Sequence, residues 1–472
     1  MAFGFQAAVG SDFTTWQRKN ARRSVIYAYP NGAATLVGLL SLASDAGVDP
    51  VEGNGTFSWQ EKRFVEKTDL TVDNASHGPW DEGSSATPAA SLFDAGDTMK
   101  LRVATGERWR TGDVIMVNRQ AITGGTYQDL TGMITAITFA SGSSGTAQLT
   151  LRMLSATPSS TVANAAAATA RRVVCMGSAS AEGSLVRGTT QPKWPIEISN
   201  YTQIFRDPFS FTRNAMRQPM NFDTTGPYKD RAKEVSLDHM VGIENAFLFS
   251  DKNINAGAAG SGSDGVSTTV TRITGGIAWF LKEYEKSGGG TPGYRPGGSA
   301  LTANSDDQKR ILEFGTPGTP ATITVANWKT YLERAFRTTT NSSHEKLLLC
   351  GSGLFSALHT YYEGRVQLNK DMMKDEHKLA MNLWQFDTEF GTLYCKTHPR
   401  FNENVWWRHD GFILDIANLR YRHVVDADTK IRSNIHANDF DGRIDEFFTE
   451  CGLELRLPET HMWLRNLGTI SG

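Results

Sequence analysis

A long segment with helical periodicity is the feature that most constrains the fold of this chain. Residues 228–250, YKDRAKEVSLDHMVGIENAFLFS, contain no proline and a single glycine. One continuous helix of this length would extend about 35 Å, whereas globular helices average about 11–12 residues. The apolar positions recur at roughly helical spacing. They are Ala232, Val235, Met240, Ile243, Ala246 and Phe247.

The region that precedes this helix is rich in strand and turn signals. Residues 55–198 include TFSWQEKRFVEKTD, which alternates and then breaks, and two segments with Gly-Asp at a strand edge, SLFDAGDTMKLRVA and WRTGDVIMVNRQ. The stretch TGMITAITFASGSSGTAQLTLRML predicts a hairpin with a Gly/Ser turn. We therefore expect a small sheet or barrel within this region.

The region after the helix combines glycine-rich loops with α/β signals. Loops are expected at 255–265, 287–299 and 315–321. Thr324 can cap a helix, and the strand KLLLC turns at Gly-Ser-Gly into the helical stretch LFSALHTYYEG, an order that suggests an α/β subdomain. The Asp-Gly pair at 410–411 is a two-residue hairpin signal, and the tail predicts a strand or a hairpin that returns to the core.

No spacing of reactive residues predicts an enzyme, a cofactor site or a metal site. The ten histidines never form HExxH. The turn GSGLFS at 351–356 lacks the third glycine of a dinucleotide loop, and Ser352 is not flanked as in GxSxG. In a calcium-loop register, DFDG at 439–442 would place Ala437 and Phe448 at ligand positions. We therefore expect no catalytic residue, no cofactor and no bound metal.

Composition narrows the class of protein further. The chain has 48 basic and 50 acidic residues, which argues against a dedicated DNA-binding protein but suits a container that surrounds DNA without gripping it. Its four cysteines are far apart, which favours reduced, buried thiols. The most apolar run, 33–43, is shorter than the roughly 20 residues of a membrane span, so no membrane partner is expected.

Two groups of side chains have more than one interpretation. The basic cluster near the N-terminus is either a solvated helix face or an arm that lies on a partner or on nucleic acid. Several tryptophans in strand or loop segments are either core residues or residues buried at subunit interfaces, where aromatic side chains are enriched. These tryptophans are Trp80, Trp194, Trp406, Trp407 and Trp463.

A short element before the long helix is the most distinctive motif. Residues 200–206 read NYTQIFR, and together with the order of the other elements they resemble the tailed-phage major capsid proteins of the Hong Kong 97 coat-protein fold. The resemblance covers roughly residues 180–472. The other matching pieces are Glu182-Gly183, ENAFL at 244–248, TGGI at 274–277, FGT at 390–392 and GLEL at 452–455.

The resemblance implies an α+β capsid fold with named parts. Two departures are the long segment 55–198, from which we infer an embedded β subdomain, and the long loops at 255–265 and 287–299. The implied parts are an N-terminal arm (1–54), an extended β loop with that insertion (55–198), a peripheral domain (199–265) with a spine helix (228–250), an axial α/β domain (266–430) and a C-terminal return to the peripheral domain (431–472).

The element at 200–209 then has an expected role. In a strand, Tyr201 and Phe205 share one face and Ile204 and Arg206 the other, and Pro208 prevents continued central pairing. We expect Phe205 to pack under the spine helix and Arg206 to contact a neighbouring subunit. The expected assembly contacts are Arg18, Lys19, Arg22, Arg23, Tyr201, Phe205 and Arg206.

The resemblance also implies a function. The chain would be the major capsid protein of a tailed double-stranded DNA bacteriophage, forming pentamers and hexamers of an icosahedral shell. Implied partners are scaffold, portal and decoration proteins, with non-specific contact to packaged DNA, in a virion assembled in the host bacterial cytoplasm. Two alternatives are an encapsulin-like compartment shell and a tail or adhesin protein with a carbohydrate-binding β domain.

Overall fold

The computed structural model divides the chain into two compact units. The larger unit comprises Met1–Glu61 and Ile196–Gly472 and includes strand β1 (Thr56–Glu61); the smaller unit is Lys62–Pro195. The residues that the structure describes are Leu36, Val51, 55–62, 68–70, 80–81, 91–92, 96, 98–103, 106–121, 127–139, 147–154, 161–162, 172–183, 195–217, 226–255, 271–287, 300–304, 306–338, 344–363, 373–378 and 381–471.

The smaller unit is an antiparallel β-structure, as predicted for this region. Its strands are β2 (Thr68–Leu70), β3 (Trp80–Asp81), β4 (Ser91–Leu92), β5 (Thr98–Val103), β6 (Asp113–Ala121), β7 (Tyr127–Phe139), β8 (Ala147–Met153), β9 (Thr161–Val162) and β10 (Arg172–Ser178). Seven of them form one sheet in the order β2-β10-β6-β7-β8-β5-β3, while β4 pairs with β9. The predicted hairpin is confirmed, because β7 and β8 pair antiparallel.

One face of this seven-stranded sheet carries the core of the smaller unit. Strand β8 alternates buried and less buried positions along its length, because successive side chains of a strand point to opposite faces. Apolar side chains from five strands meet on the buried face. They include Leu101, Ile115, Val117, Ile134, Leu149, Leu151 and Val173.

The predicted long helix is present in the larger unit. After β11 (Ile196–Tyr201), β12 (Gln203–Thr212) and the short helix α1 (Arg213–Arg217), helix α2 extends over Pro227–Phe249, against the predicted 228–250. Proline suits the first turn, where its missing N–H would have no partner within the helix. The helix ends at Phe249, because the next residue, Ser250, is extended (ψ 139°). The buried side chains of α2 are Val235, His239, Ile243, Glu244, Ala246, Phe247 and Leu248.

Helix α2 packs on a sheet that joins β12 to the C-terminal part of the chain. The other strands of this sheet are β23 (Leu419–His423), β24 (Lys430–Arg432) and β25 (Gly442–Leu455). Strand β12 pairs antiparallel with β25 along its whole length, and β23 and β24 pair with the opposite side of β25. The predicted return of the tail as a strand is therefore confirmed.

Pro208 does not end the strand that contains it. Its register partner is Glu446, and pairing continues to Thr212 opposite Gly442. Within the described residues β12 has a strand on one side only, and an edge position is where a sheet accepts proline, because the missing N–H need not join a ladder. The expectation that Pro208 excludes central pairing agrees with this edge position.

A second sheet of seven strands is mixed, and its central strands are largely buried. Its strands, in spatial order, are β15 (Ile311–Glu313), β26 (Met462–Arg465), β22 (Gly411–Leu414), β18 (Glu345–Cys350), β21 (Thr392–Thr397), β20 (Met381–Asp387) and β19 (Met373–Lys378). Helices α4 (Val325–Arg337) and α5 (Ser352–Glu363) supply Trp328, Leu332, Leu354 and Leu358 to the same apolar cluster. The predicted strand–turn–helix order is confirmed, and so is the cap, because the side chain of Thr324 accepts from Asn327 N.

The remaining elements are short. They are β13 (Asn253–Asn255), β14 (Thr271–Ile273), α3 (Ile277–Glu285), β16 (Gly315–Thr316), β17 (Thr319–Thr324), α6 (Pro399–Glu403) and β27 (Leu467–Ser471), with single turns of 3₁₀ helix at Gly106–Arg108, Val405–Trp407, Ile416–Asn418 and Pro458–Thr460. None of the described helices has the length and apolarity that a membrane-spanning helix requires.

The hairpin predicted at 410–411 is wrong. The chain makes a 3₁₀ turn at Val405–Trp407, and Gly411 is the first residue of β22, opposite Cys350 of β18. A Cβ on Gly411 would lie 2.7 Å from Leu354 Cδ2 and 2.9 Å from Cys350 Cβ. The glycine therefore serves the close approach of β22 to its neighbours, a reason that is not visible in the local sequence.

Candidate assembly surface

Asn200, the first residue of the NYTQIFR motif, holds the chain just before strand β12 against other segments of the larger unit. Its fully buried amide donates from Nδ2 to Leu453 O (2.7 Å) and Gly275 O (3.0 Å), while Oδ1 accepts from Gly275 N (2.8 Å) and Tyr201 N (2.9 Å). Asn200 thus connects β11, β25 and the turn before α3. This is the physical role of the first residue of NYTQIFR.

Tyr201 is half-buried and lies beneath a cation. Lys252 Nζ is 4.8 Å from the centre of the Tyr201 ring and 5.4 Å from that of Trp279, and it donates to Ser199 O at 2.5 Å. Burial lowers the pKa of Lys252. Tyr201 therefore takes part in a cation–π contact within its own chain, and its role as an assembly contact stays a prediction.

Phe205 packs against helix α2. Its ring meets that of His239 edge-on, with 6.4 Å between centroids, and it lies against the main apolar cluster of the larger unit. The exposure of β12 alternates along the strand, so Phe205 faces the helix and its neighbours Ile204 and Arg206 face away. Phe205 therefore packs under helix α2 as expected, whereas a contact of Phe205 with another subunit stays a prediction.

A buried histidine beneath β12 was not assigned a role from the sequence. His239 has no exposed side-chain surface; its Nδ1 is 2.6 Å from Asp207 Oδ2 and its Nε2 is 2.7 Å from Thr449 Oγ1. The Thr449 hydroxyl continues the chain to Thr429 Oγ1 at 2.9 Å. These side chains tie α2 to both β12 and β25 through polar contacts within a largely apolar layer.

The outer face of the same sheet carries Arg206. Its guanidinium is half-exposed and contacts the carboxylate of Glu446, which is also 3.4 Å from Arg432 Nη1. The Arg432 guanidinium lies 3.5 Å from the centre of the Phe448 ring, which it covers, while Ile204 on the same face is 54% exposed. The face therefore presents two arginines and an exposed isoleucine. The contact of Arg206 with a neighbouring subunit stays a prediction.

The N-terminal end of α2 is held by a second polar cluster. The Tyr228 hydroxyl donates to Asp445 Oδ2, and Arg443 Nε is 2.7 Å from the same oxygen. Burial raises the pKa of Tyr228, and the hydrogen bond with Asp445 raises it further. The start of the helix is thereby fixed to β25 in the described part of the chain.

The N-terminal region is joined to α2 at Leu36. Leu36 is fully buried in the main apolar cluster, and its backbone N–H donates to Glu244 Oε1 at 2.8 Å. Glu244 is itself fully buried and accepts from His398 Nε2, also at 2.8 Å. The basic residues predicted as contacts in this region, Arg18, Lys19, Arg22 and Arg23, lie outside the described residues.

No group of three or more His, Cys, Asp or Glu side chains in the described part of the chain is arranged to hold a metal ion. The carboxylates and histidines near β12 pair with arginines, hydroxyls and backbone groups instead. The described polar groups around this strand are therefore engaged within the chain itself.

The sequence of the whole chain identifies its family. A family model described as SU10 major capsid protein matches residues 9–468. The chain belongs to the SU10 major capsid protein family. As a member, it is a phage major capsid protein, a structural component of the virion capsid that associates with other capsid subunits.

Solved structures similar to this capsid protein include two phage capsids and an encapsulin. The capsid of cyanophage P-SCSP1u is 10% identical over 62% of this chain and 80% of that chain, with a TM-score of 0.35. The capsid of Myoviridae phage XM1 is 10% identical over 61% and 81%, with a TM-score of 0.34. The SrpI encapsulin complex from Synechococcus elongatus PCC 7942 is 7% identical over 58% and 76%, with a TM-score of 0.33. No curated protein matches the chain.

Proposed function

We propose that this major capsid protein has the Hong Kong 97 coat-protein fold and forms the pentamers and hexamers of an icosahedral shell around double-stranded DNA. The observation that carries the proposal is the family match over residues 9–468. The long helix α2, the sheet beneath it and the motif NYTQIFR support the finer assignment.

The proposal assigns a part of the shell subunit to each region. Residues 1–54 form the arm, and the antiparallel unit Lys62–Pro195 lies within the extended loop assigned to 55–198. Helix α2 and the sheet of β12, β25, β23 and β24 form the peripheral domain, and the mixed seven-stranded sheet belongs to the axial domain. This division differs from the expected boundary at 430–431, because β23 precedes that boundary and β26 follows it. The antiparallel pairing of β1 with β11, next to the start and end of the smaller unit in sequence, supports this division.

Closed shells place a physical requirement on the contacts. In a ring of five or six, each copy presents one surface to the next copy and a different surface to the previous one, and the rotation must close. The net free energy of each contact is modest, because the entropy lost on association offsets much of it. Modest contacts are sufficient, since each subunit has many neighbours. The shell then needs no catalytic residue, no cofactor and no membrane contact.

The proposed partners follow from the task of a DNA container. They are other copies of the chain, a scaffold, a portal, decoration proteins and packaged DNA held by non-specific contacts, in a virion assembled in the bacterial cytoplasm. Near-balanced charge, 48 basic against 50 acidic residues, supports loose contact with DNA, since many phosphate contacts would bind it tightly.

Negative-stain electron microscopy of the purified protein tests the proposal. Round closed shells or rings of five and six are the expected result, whereas fibres, trimers or dispersed monomers at all concentrations would contradict it. Genes for portal, terminase and scaffold beside the coding sequence are expected, whereas a cargo enzyme there would favour an encapsulin-like compartment.

The basic arm has a separate test. Reversing the charge of both Arg22 and Arg23 to Glu is expected to impair assembly or packaging, because the arm would then repel the phosphates or acidic surfaces it contacts. Reversing two arginines of the smaller unit, Arg102 and Arg152, gives a control with the same change of net charge. Unchanged yields of filled particles from the arm variant would contradict the role.

A further inference from the structure

The two most exposed large apolar side chains that the structure describes are neighbours in sequence. Val405 and Trp406 are each 61% exposed, on the 3₁₀ turn Val405–Trp407. A tryptophan of this exposure leaves about 150 Å² in water, taking about 250 Å² as its full surface. A partner that covers the pair would remove this area from water, which favours association.

Aromatic side chains pack against the turn that carries Val405 and Trp406 and fix its position. Trp407 stacks on Phe249, the last residue of α2, with 4.4 Å between ring centres, and Phe249 in turn contacts Phe401 and Phe412. The side chain of Asn404 caps the turn by accepting from Trp406 N at 3.0 Å. Trp406 is thus presented by an ordered base, so a partner would lose little conformational freedom on binding it.

Charged groups flank the exposed pair. Arg400 and Glu403 form an ion pair on α6, and the exposed Arg408 donates from Nε to Asn402 O at 3.3 Å. An apolar centre with a polar rim is typical of protein interfaces, and tryptophan is enriched among the residues that dominate their affinity. The rim therefore carries both signs of charge, and the partner that membership of a capsid protein family supplies is another copy of this chain.

We propose that Val405 and Trp406 form an apolar knob that inserts into the surface of a second copy of this chain in the assembled shell. The inference rests on the proposed function, since shell assembly supplies the partner copy. A ring contact of this kind is heterologous, so the knob of one copy meets a different surface of the next. Trp406 is the centre of the contact and Val405 widens it.

Thiol labelling in assembled particles tests the knob directly. Cys350, Cys395 and Cys451 are buried and Cys175 is partly exposed, so Val405→Cys in a Cys175→Ser background adds one accessible thiol. A maleimide is expected to label it at least about ten-fold more slowly in shells assembled from this chain alone than in dissociated subunits. Equal labelling rates in the two states would overturn the proposal. Equal rates are also the result expected if a different virion protein covers the knob, because shells assembled from this chain alone lack that protein.

Assembly of a truncation variant gives the second measurement. Trp406→Ala is expected to weaken association by at least about 30-fold per contact, the effect of a strong interface residue, with an unchanged urea unfolding midpoint. Trp384→Ala, which removes a 37% exposed tryptophan on β20, is the matched control and is expected to assemble normally. Normal assembly of Trp406→Ala would refute the knob, whereas absence of shells from the wild-type chain would refute the proposed function instead.

Discussion

Arg206 donates two hydrogen bonds to one carboxylate oxygen of Glu446, at 2.9 Å from Nε and 2.8 Å from Nη2. The side chain of Arg206 is 50% exposed and that of Glu446 is 2% exposed, so the carboxylate is the buried partner and the arginine the solvated one. The pair joins two strands whose residues are 240 positions apart in sequence. Arg206 therefore pairs with the buried carboxylate of Glu446 in its own chain, whether or not it also contacts a neighbouring subunit.

Arg206→Ala is expected to lower the free energy of unfolding by about 1–3 kcal/mol, because Glu446 keeps only the longer contact to Arg432. Adding Glu446→Gln should restore part of the loss, since no buried charge then lacks its partner. Urea unfolding of the two single variants and the double variant measures the coupling as a double-mutant cycle. Purely additive effects would show that the pair contributes nothing to stability.

The same double variant separates folding from assembly. If Arg206 also contacts a neighbouring subunit, Arg206→Ala/Glu446→Gln should be more stable than Arg206→Ala and still form fewer shells than the wild-type chain. Particle yield by sedimentation measures this. Shells of normal yield and stability from the double variant would mean that Arg206 has no neighbour to contact.

His239→Phe is expected to destabilise the protein by about 2 kcal/mol, because Asp207 and Thr449 each lose a buried partner beneath β12. His359→Phe is the control, since His359 lies on α5 and is 32% exposed beside the exposed Glu363. That change should stay within about 0.5 kcal/mol. Equal effects at the two positions in thermal or urea unfolding would contradict a structural role for His239.

Asn200→Asp is expected to cost at least about 3 kcal/mol, because a carboxylate cannot donate to Leu453 O and Gly275 O and would lie against both oxygens unpaired. Asn304→Asp, at a site where the amide donates to Glu313 O near solvent, should cost less than about 1 kcal/mol. Urea unfolding compares the two. A small loss at Asn200 would show that its amide does not fix the motif.

Gly276→Ala is expected to destabilise the protein, because a Cβ there would lie 2.6 Å from Ala246 O and 2.8 Å from Phe247 O at the end of α2. Gly242→Ala, inside helix α2, is the opposite control, because a Cβ there meets nothing within 4 Å. Alanine there should stabilise the helix by about 0.5–1 kcal/mol. Thermal midpoints that move in the same direction for both variants would contradict this reading of Gly276.

Asp410→Asn is expected to change how stability depends on pH. Burial raises the pKa of Asp410 to about 6. The pKa of Asp410 is therefore higher in the folded state than in the unfolded state. Between about pH 4 and about pH 6 the folded protein keeps a proton on Asp410 that the unfolded chain releases, so stability is lost as pH rises through this range. A displacement from 3.8 to about 6 corresponds to about 3 kcal/mol.

The variant at position 410 has no proton to lose, while its Oδ1 can still accept from Asn466 N as in the wild type, at 2.8 Å. It should therefore become more stable relative to wild type as pH rises from 4 to 7. Unfolding free energies of both proteins across that range measure the difference. A difference that is constant with pH would show that Asp410 does not titrate in this window.

Local signals in the sequence were sufficient for several elements. The helix predicted over 228–250 and the cap at Thr324 depend on residues within one or two turns of each other, so spacing alone predicts them. The strand before Gly351 and the β7–β8 hairpin depend on short apolar runs bounded by turns. The family motif at 200–206 was also visible, because it is contiguous.

The partners of the motif were decided only by the tertiary structure. Glu446 lies 240 residues from Arg206, and Thr449 lies 210 residues from His239, and neither separation has any signature in a single sequence. The glycine at 411 has the local appearance of a hairpin turn, but the packing of β22 against β18 requires it. The sequence by itself determined the long helix and several strands, since these depend on neighbouring residues, but the loop expected at 315–321 is wrong, because β16 and β17 pair there. Strand pairing and burial decided which polar groups meet, since these depend on contacts between segments that are far apart in the chain.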